Sequence, residues 1–167
     1  MRLAVGDKVV YRSHGAGHVA ARESRVVLGM PQDVVVLALA GGLRVELPLE
    51  RARDQLRPLA DESDLSRVQE ALGVDQPVSK DPWLTRQRDT LAKLADGDPI
   101  SLAHIIRNSV RREATRSPKG AKSQLSPWER EMATKARRLL STEIGLIRGV
   151  EPEEADIWID RHLSLEP

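Results

Sequence analysis

The sequence predicts an α+β protein in which a small N-terminal antiparallel β-barrel or curled sheet precedes an all-helical bundle. The first sixty residues are rich in valine and are interrupted by glycine-containing turns, a pattern typical of short strands. After Pro58 the apolar residues recur at the 3.6-residue period of amphipathic helices. We therefore divide the chain into a β domain, residues 1–58, and a helical domain, residues 59–167.

Four short strands are predicted in the first part, with tight turns and no helix between them. In the fourth strand Val45 and Leu47 share one face and Arg44 and Glu46 share the other, because successive side chains point to opposite sides. We expect the face of Arg44 and Glu46 to be available to a partner. The predicted strands are Lys8 to Tyr11, Gly17 to Arg22, Asp33 to Leu39 and Leu43 to Leu47.

Five helices are predicted in the second part, and proline marks the start of four of them, where its missing N–H is not needed. Ser126 to Glu129 has the pattern of a capping box, and Asp81 is expected to cap the helix that begins at Pro82. A basic loop from Thr115 to Gln124 is expected to be mobile. The first predicted helix contains Leu65 to Leu72, and the other four begin at Pro82, Pro99, Pro127 and Pro152.

Trp83, next to Pro82, is the tryptophan without an evident packing role. The helix has an apolar stripe predicted to enter the core, and Trp83 lies about 100° away from it, near Arg86. A flat apolar side chain flanked by arginines is typical of proteins that bind the minor groove or single strands. A tryptophan that caps the end of the helical core is the structural alternative. The stripe consists of Leu84, Leu91, Leu94 and Ala95.

The charge distribution favours a polyanionic partner for the middle of the chain. The net charge is only +1. Residues 84–138 hold thirteen Lys or Arg against six Asp or Glu, whereas residues 59–83 hold two against six and residues 139–167 two against seven. Such asymmetry indicates a positive face for a polyanion, or alternatively ordinary solvated helix faces.

The composition excludes several classes of protein and of site. Absence of cysteine rules out disulfides and thiolate metal sites. No signal-peptide pattern or membrane-length apolar run is present, so a soluble cytoplasmic protein is expected. His14 and His18 flank a glycine-rich turn, but the segment lacks the spacing of a phosphate loop. We assign no catalytic residue, metal or cofactor, although a metal or nucleotide hydrolase that uses these histidines remains a remote alternative.

Several segments spread along the chain form a recognisable pattern. The more specific of them are Pro82-Trp83 with its arginine-rich turn and the segment Leu91-Ala-Lys-Leu-Ala-Asp-Gly97. The weaker are the opening Val5-Gly-Asp-Lys-Val-Val-Tyr11, the turn His14-Gly15-Ala16, Leu47-Pro48 and the run Lys135-Ala-Arg-Arg-Leu-Leu140. In these segments the chain resembles, over nearly its whole length, the CarD/CdnL family of bacterial RNA polymerase-binding transcription regulators.

The resemblance implies a Tudor-like or SH3-like barrel that binds the polymerase β subunit, and helices that contact promoter DNA. It implies that Trp83 wedges into the minor groove and stabilises the open complex, with Arg86 and Arg88 also on DNA. The resemblance also implies that the protein is a monomeric, non-enzymatic regulator without a cofactor. The residues expected to bind polymerase are Arg25, Arg44, Glu46 and Pro48.

Glu46 and Thr85 depart from the family pattern, in which a basic or apolar residue and an arginine are expected. Thr85 would weaken the phosphate contacts, whereas Arg44, on the same face as Glu46, could substitute for the expected residue on the sheet. A second hypothesis, of another class, is a protein-protein adaptor for polymerase or a repair translocase, with no direct contact to DNA. Salt-dependent DNA binding would separate the two, because phosphate contacts release counterions.

Overall fold

A computed structural model describes residues 2–75, 77–114 and 125–163. The N-terminal part is a five-stranded antiparallel sheet with the strand order β4-β3-β2-β1-β5. A long hairpin of β2 and β3 dominates it and turns at Leu28-Gly29, where both residues have positive φ, as two-residue hairpin turns require. The strands are β1 Lys8–Tyr11, β2 Gly15–Val27, β3 Met30–Leu39, β4 Arg44–Pro48 and β5 Leu56–Pro58.

The predicted closure of the sheet into a barrel is not supported. Among the described residues β4 and β5 do not pair, and a short helix, α1 Leu49–Gln55, connects them. Because the chain enters α1 directly after Pro48, the three residues of β5 pair with β1 alone. The expectation that no helix interrupts the strands is wrong at α1, whose sequence Leu-Glu-Arg-Ala-Arg-Asp-Gln contains several good helix formers.

In the described ranges of the C-terminal part the chain forms five further helices, as predicted. Buried leucine, isoleucine, valine and alanine side chains from α2, α4, α5 and α6 form most of one core, to which α3 contributes Leu94. Trp158 packs against this core, as expected from its place on the apolar stripe. The helices are α2 Glu62–Gly73, α3 Trp83–Asp96, α4 Pro99–Ala114, α5 Pro127–Arg148 and α6 Pro152–His162. The predicted loop Thr115 to Gln124 lies outside the described residues.

Side-chain caps begin three of these helices. Asp61 and Asp64 form a reciprocal capping box at α2. At the start of α5 the Ser126 hydroxyl accepts a hydrogen bond from the Glu129 N–H at 3.1 Å, and Asp98 accepts from two N–H groups at the start of α4. The predicted cap at Asp81 is wrong: Pro82 is the N-cap residue, α3 begins at Trp83, and no side chain accepts from its first turn.

The sheet and the helices have separate hydrophobic cores. The sheet buries Val9, Val19, Val35, Leu37 and Leu47 against residues of α1 and β5. The two parts meet where α5 packs against β2 and where the C-terminal end of α3 packs against the 3-10 turn Arg12–His14. Trp83 is at the N-terminal end of α3. It is separated from this junction by the length of the helix, about 20 Å for fourteen residues.

Candidate functional site

Trp83 lies at the surface at the start of α3, with 36% of its area exposed. Its indole meets the ring of Trp128 of α5 edge-on, with centroids 5.5 Å apart and planes at 84°. We predicted Trp128 as a core side chain, but it is half-buried and contacts Trp83 instead. The indole of Trp83 is therefore anchored along one side while a substantial part of its surface faces solvent.

The two arginines that follow Trp83 are placed differently. The Arg86 guanidinium carbon is 5.6 Å from the Trp83 ring centroid, within cation-π range, and its Nη1 is 3.6 Å from Glu129 Oε1. Arg88 is exposed and makes no ion pair with any residue that the structure describes. Thr85, which departs from the family pattern, is exposed beside them. Arg88 is thus the cation better placed to meet a phosphate.

More positive charge surrounds this end of α3. The Arg112 guanidinium donates to the Ser79 carbonyl at 2.8 Å. Its pKa is lowered first by burial and then by Arg86, while Glu129 opposes the shift. Arg86 and Arg112 thus place two guanidinium groups near the start of α3, with the Glu129 carboxylate beside them.

The apolar stripe predicted to enter the core faces solvent. Leu84 is 61% exposed and Leu91 49%, and Ala95 is exposed as well, so of the predicted stripe Leu94 alone is buried. Polar side chains of α3, including Arg86, Thr90 and Lys93, line a cavity of about 420 Å³ between α3 and α4. The opposite face, with Leu84, Arg88 and Leu91, is exposed among the described residues and mixes apolar and basic character.

The four residues expected to bind polymerase lie on one face of the strands β2, β3 and β4. Glu46 is opposite Val36 and Pro48 is opposite Val34, and these two valines share a face because they are two residues apart. Arg25 pairs with Gln32, which lies on the same face of β3, and Arg44 is two residues from Glu46. Val45 and Leu47 turn to the core side, as the alternation predicts.

Arg25 is bound between two carboxylates on this face. Its Nη2 donates to Glu46 Oε1 at 2.9 Å and its Nε donates to Glu23 Oε2 at 3.0 Å. These hydrogen bonds raise the pKa of Arg25, and the bond from Arg25 lowers the pKa of Glu46. Glu46, noted as a departure from the family pattern, is therefore the partner of Arg25. Glu23 was missed in the sequence, although its position two residues before Arg25 places it on the same face.

The end of the β2-β3 hairpin was also missed. Val27 and Met30 are exposed, face each other across the strands and continue the face of Arg25 and Gln32. Leu28 at the turn is 99% exposed. The predicted strands ended at Arg22 and resumed at Asp33, so this end of the hairpin was left outside them, whereas β2 continues to Val27 and β3 begins at Met30.

Other chemistry finds little support among the described residues. They contain no group of three His, Asp or Glu side chains arranged to hold a metal ion. His14 is exposed and stacks on Tyr11, with ring centroids 4.4 Å apart, and His18 is exposed on β2. No helix in the described ranges has both the length and the apolar character needed to cross a membrane.

Comparison with known proteins identifies both parts of the chain. Residues 3–60 match the CarD-like/TRCF RID domain, and residues 67–160 match the C-terminal domain of CarD, more than half of the chain. The protein YdeB of Bacillus subtilis (strain 168), which is named as a proposed transcription factor, is 23% identical over 152 residues, or 90% of this chain and 95% of that protein. The chain therefore belongs to the CarD/CdnL family of bacterial RNA polymerase-binding transcription regulators.

Proposed function

We propose that this chain is a non-enzymatic, monomeric regulator that binds the β subunit of RNA polymerase and stabilises the promoter open complex in the cytoplasm. Residues 1–58 bind polymerase and residues 59–167 contact promoter DNA. Trp83 enters the minor groove at the upstream edge of the transcription bubble, and no cofactor takes part. Family membership supports the polymerase partner, and the surface position of Trp83 beside Arg86 is the observation that supports the contact with DNA.

The surroundings of Trp83 fit a wedge. Its edge-on contact with Trp128 holds the ring in one orientation, so less conformational freedom is lost when it inserts between bases. Leu84 and Leu91 provide further apolar surface on the same helix, and Arg88 provides a cation for a neighbouring phosphate. Unstacking a base step costs a few kcal/mol, and such contacts offset it.

A polymerase tether makes weak DNA affinity sufficient. Once the sheet is bound, the encounter of Trp83 with DNA is intramolecular and is governed by an effective concentration. On the sheet, Glu23 and Glu46 hold the Arg25 guanidinium in a fixed place. Polymerase then meets a pre-organised cation with a carboxylate on either side, which favours a partner surface of mixed charge.

The test of the wedge is the lifetime of the open complex with Trp83→Ala. Aromatic stacking contributes about 1–3 kcal/mol per base, so the lifetime should fall roughly tenfold. Trp83→Phe, which retains a flat ring, should retain part of the effect. Competitor-challenge decay of polymerase on one promoter, with the regulator at saturating concentration, measures these lifetimes.

Ile157→Ala is the matched control, because Ile157 is exposed on α6. The open complex formed with Ile157→Ala should have the same lifetime as the open complex formed with the parent chain. Thermal unfolding of each variant confirms that the fold is retained. A folded Trp83→Ala protein that supports the parental lifetime would reject the wedge.

Polymerase binding is tested at Arg25. Arg25→Glu places a third carboxylate beside Glu23 and Glu46, so affinity for the isolated β subunit should fall at least about tenfold, equivalent to roughly 1.4 kcal/mol. Arg53→Glu, a charge reversal at an exposed position of α1, serves as the control. Equal affinities of the two variants would place the polymerase contact on another face.

A protein-protein adaptor without DNA contact is the second candidate function. It is favoured by the involvement of Trp83 with Trp128 and of Arg86 with Glu129, which gives both residues structural roles. An adaptor predicts no salt-dependent binding to DNA, whereas for a DNA-binding regulator each phosphate contact steepens the slope of log affinity against log salt by about 0.9. Titration of the purified chain with duplex DNA at several salt concentrations separates the candidates.

A further inference from the structure

One buried ion pair joins the sheet to the helices. Arg57 of β5 donates from Nη1 to Glu143 Oε2 at 2.8 Å and from Nη2 to Glu143 Oε1 at 2.6 Å, a two-pronged contact. Glu143 lies in the C-terminal part of α5 and is 1% exposed. Its Oε2 also accepts from the Ala60 N–H at 2.9 Å, so the carboxylate holds the chain that links the two parts.

The same guanidinium reaches the helix that begins with Trp83. Arg57 Nη2 donates to the carbonyl of Gly97, the C-terminal cap of α3, at 2.8 Å. Gly97 has φ +67°, and a Cβ there would lie 2.9 Å from the carbonyl group of Arg12. The C-terminal end of α3 is therefore fixed between Arg57 and the turn at Arg12, and Trp83 is at the other end of the helix.

Stability alone gives a weak reason for this arrangement. Removing two charges from water costs several kcal/mol per ion, and an apolar pair of similar volume is often as stable. Among the described residues the buried Nε of Arg57 has no acceptor, which adds a further cost. What an apolar pair lacks is the directional bond from Arg57 to Gly97, which sets the orientation of α3 relative to the sheet.

We propose that Arg57, Glu143 and Gly97 form a positioning node that fixes the Trp83 end of α3 relative to the polymerase-binding sheet. The proposal rests on the proposed function. A small rotation of α3 at Gly97 is amplified along about 20 Å of helix before it reaches Trp83. The node therefore determines whether a chain bound to polymerase presents the indole at the DNA or beside it.

The test replaces the ion pair by apolar side chains in the full chain, with Arg57→Met and Glu143→Leu combined. Affinity for polymerase and affinity of the free chain for DNA should each stay within about twofold of the parent, because neither surface is altered. The open-complex lifetime should fall at least about tenfold. Linking the two contacts in one chain raises the overall affinity by a factor of about 10²–10⁴, and this gain is lost when both contacts cannot form at the same time.

A distance measurement reports on the node independently of transcription. The chain has no cysteine, so in a variant with Ser24→Cys and Ala92→Cys the spin labels attach at these two exposed positions only. The distribution of distances between the sheet and α3 should broaden in the double variant. Arg137→Met is the control, because it breaks an ion pair with Asp156, between helices α5 and α6 alone. It should change neither the distances nor the lifetime.

The outcomes separate this proposal from the wedge. A parental lifetime and an unbroadened distance distribution in the double variant, while Trp83→Ala still shortens the lifetime, would overturn the node alone. A loss of polymerase affinity in the double variant would also overturn it, since the pair would then maintain the sheet itself. If the double variant does not fold, Glu143→Gln, which keeps the shape and removes the charge, is measured for the same loss of lifetime and broadening of distances.

Discussion

At the scale of single residues, we expect Arg86 and Arg88 to make different contributions to binding DNA. Arg88→Ala should weaken DNA binding and lower the salt slope by about 1, because an exposed cation that contacts one phosphate is lost. Arg86→Ala should change the slope less, since its guanidinium is already occupied by Glu129 and the Trp83 ring. Fluorescence anisotropy with labelled duplex, repeated across salt concentrations, measures both slopes.

The two variants serve as controls for each other, because both remove one positive charge from α3. Arg86→Ala should instead lower the free energy of unfolding, by about 0.5–2 kcal/mol, since Glu129 is left half-buried without its cation. A larger loss of salt slope in Arg86→Ala than in Arg88→Ala would show that Arg86 leaves Glu129 to bind phosphate.

The sequence predicted which residue types to expect at the site but not their partners. Trp83 was identified from composition and position because aromatic residues are scarce, and it lies at the surface beside Arg86, but the leucine stripe used to place it there is, apart from Leu94, more exposed than the indole itself. The ion pair between Arg25 and Glu46 was not predicted. It depends on the register of three strands, and one sequence does not determine which residues of separate strands lie side by side.

At the scale of the element, α3 has its apolar face outward. A 3.6-residue pattern shows that leucines share a face, but not whether that face meets a core or a partner. Here Lys93, Thr90 and Arg86 face the cavity above α4, and Leu84 and Leu91 are exposed. Leu84 and Leu91, two turns apart on one face, make this face of α3 a candidate binding surface.

This orientation leads to a stability test. Leu84→Gln combined with Leu91→Gln should change the free energy of unfolding by no more than about 0.5 kcal/mol per site, as surface substitutions usually do. Leu94→Ala, in the same helix but 4% exposed, should cost about 2–5 kcal/mol. Urea denaturation followed by circular dichroism provides the comparison. A double glutamine variant as unstable as Leu94→Ala would place the stripe in the core after all.

Helix starts were the elements most accessible to prediction. A proline after Asp, Ser or Glu marks the first turn through local chemistry, which explains the correct starts of α4, α5 and α6. The barrel was not predicted correctly, because closure requires that β4 reach β5 across the sheet. The intervening α1 and the three-residue length of β5 prevent it, and neither follows from the valine pattern.

At the scale of the whole molecule, two separate cores meet at a junction that includes the ion pair of Arg57 and Glu143. The order of a sheet followed by helices was predicted from the change of period after Pro58. The junction was not, because Arg57 and Glu143 are 86 residues apart and each resembles an ordinary surface charge in the sequence. Long-range polar contacts of this kind depend on the final packing of α5 against the sheet.

The central claim, that polymerase-bound chain presents Trp83 to the upstream edge of the bubble, is tested most directly by photocrosslinking. Trp83 is replaced by p-benzoylphenylalanine, and the labelled regulator is irradiated in complexes with polymerase and promoter DNA. The same experiment is repeated with Arg25→Glu added, which removes the regulator's contact with polymerase. We expect crosslinks to DNA bases at the upstream edge of the bubble in the open complex, and we expect these crosslinks to be lost with Arg25→Glu. Crosslinks to protein alone, or to DNA positions that do not depend on bubble opening, would contradict it.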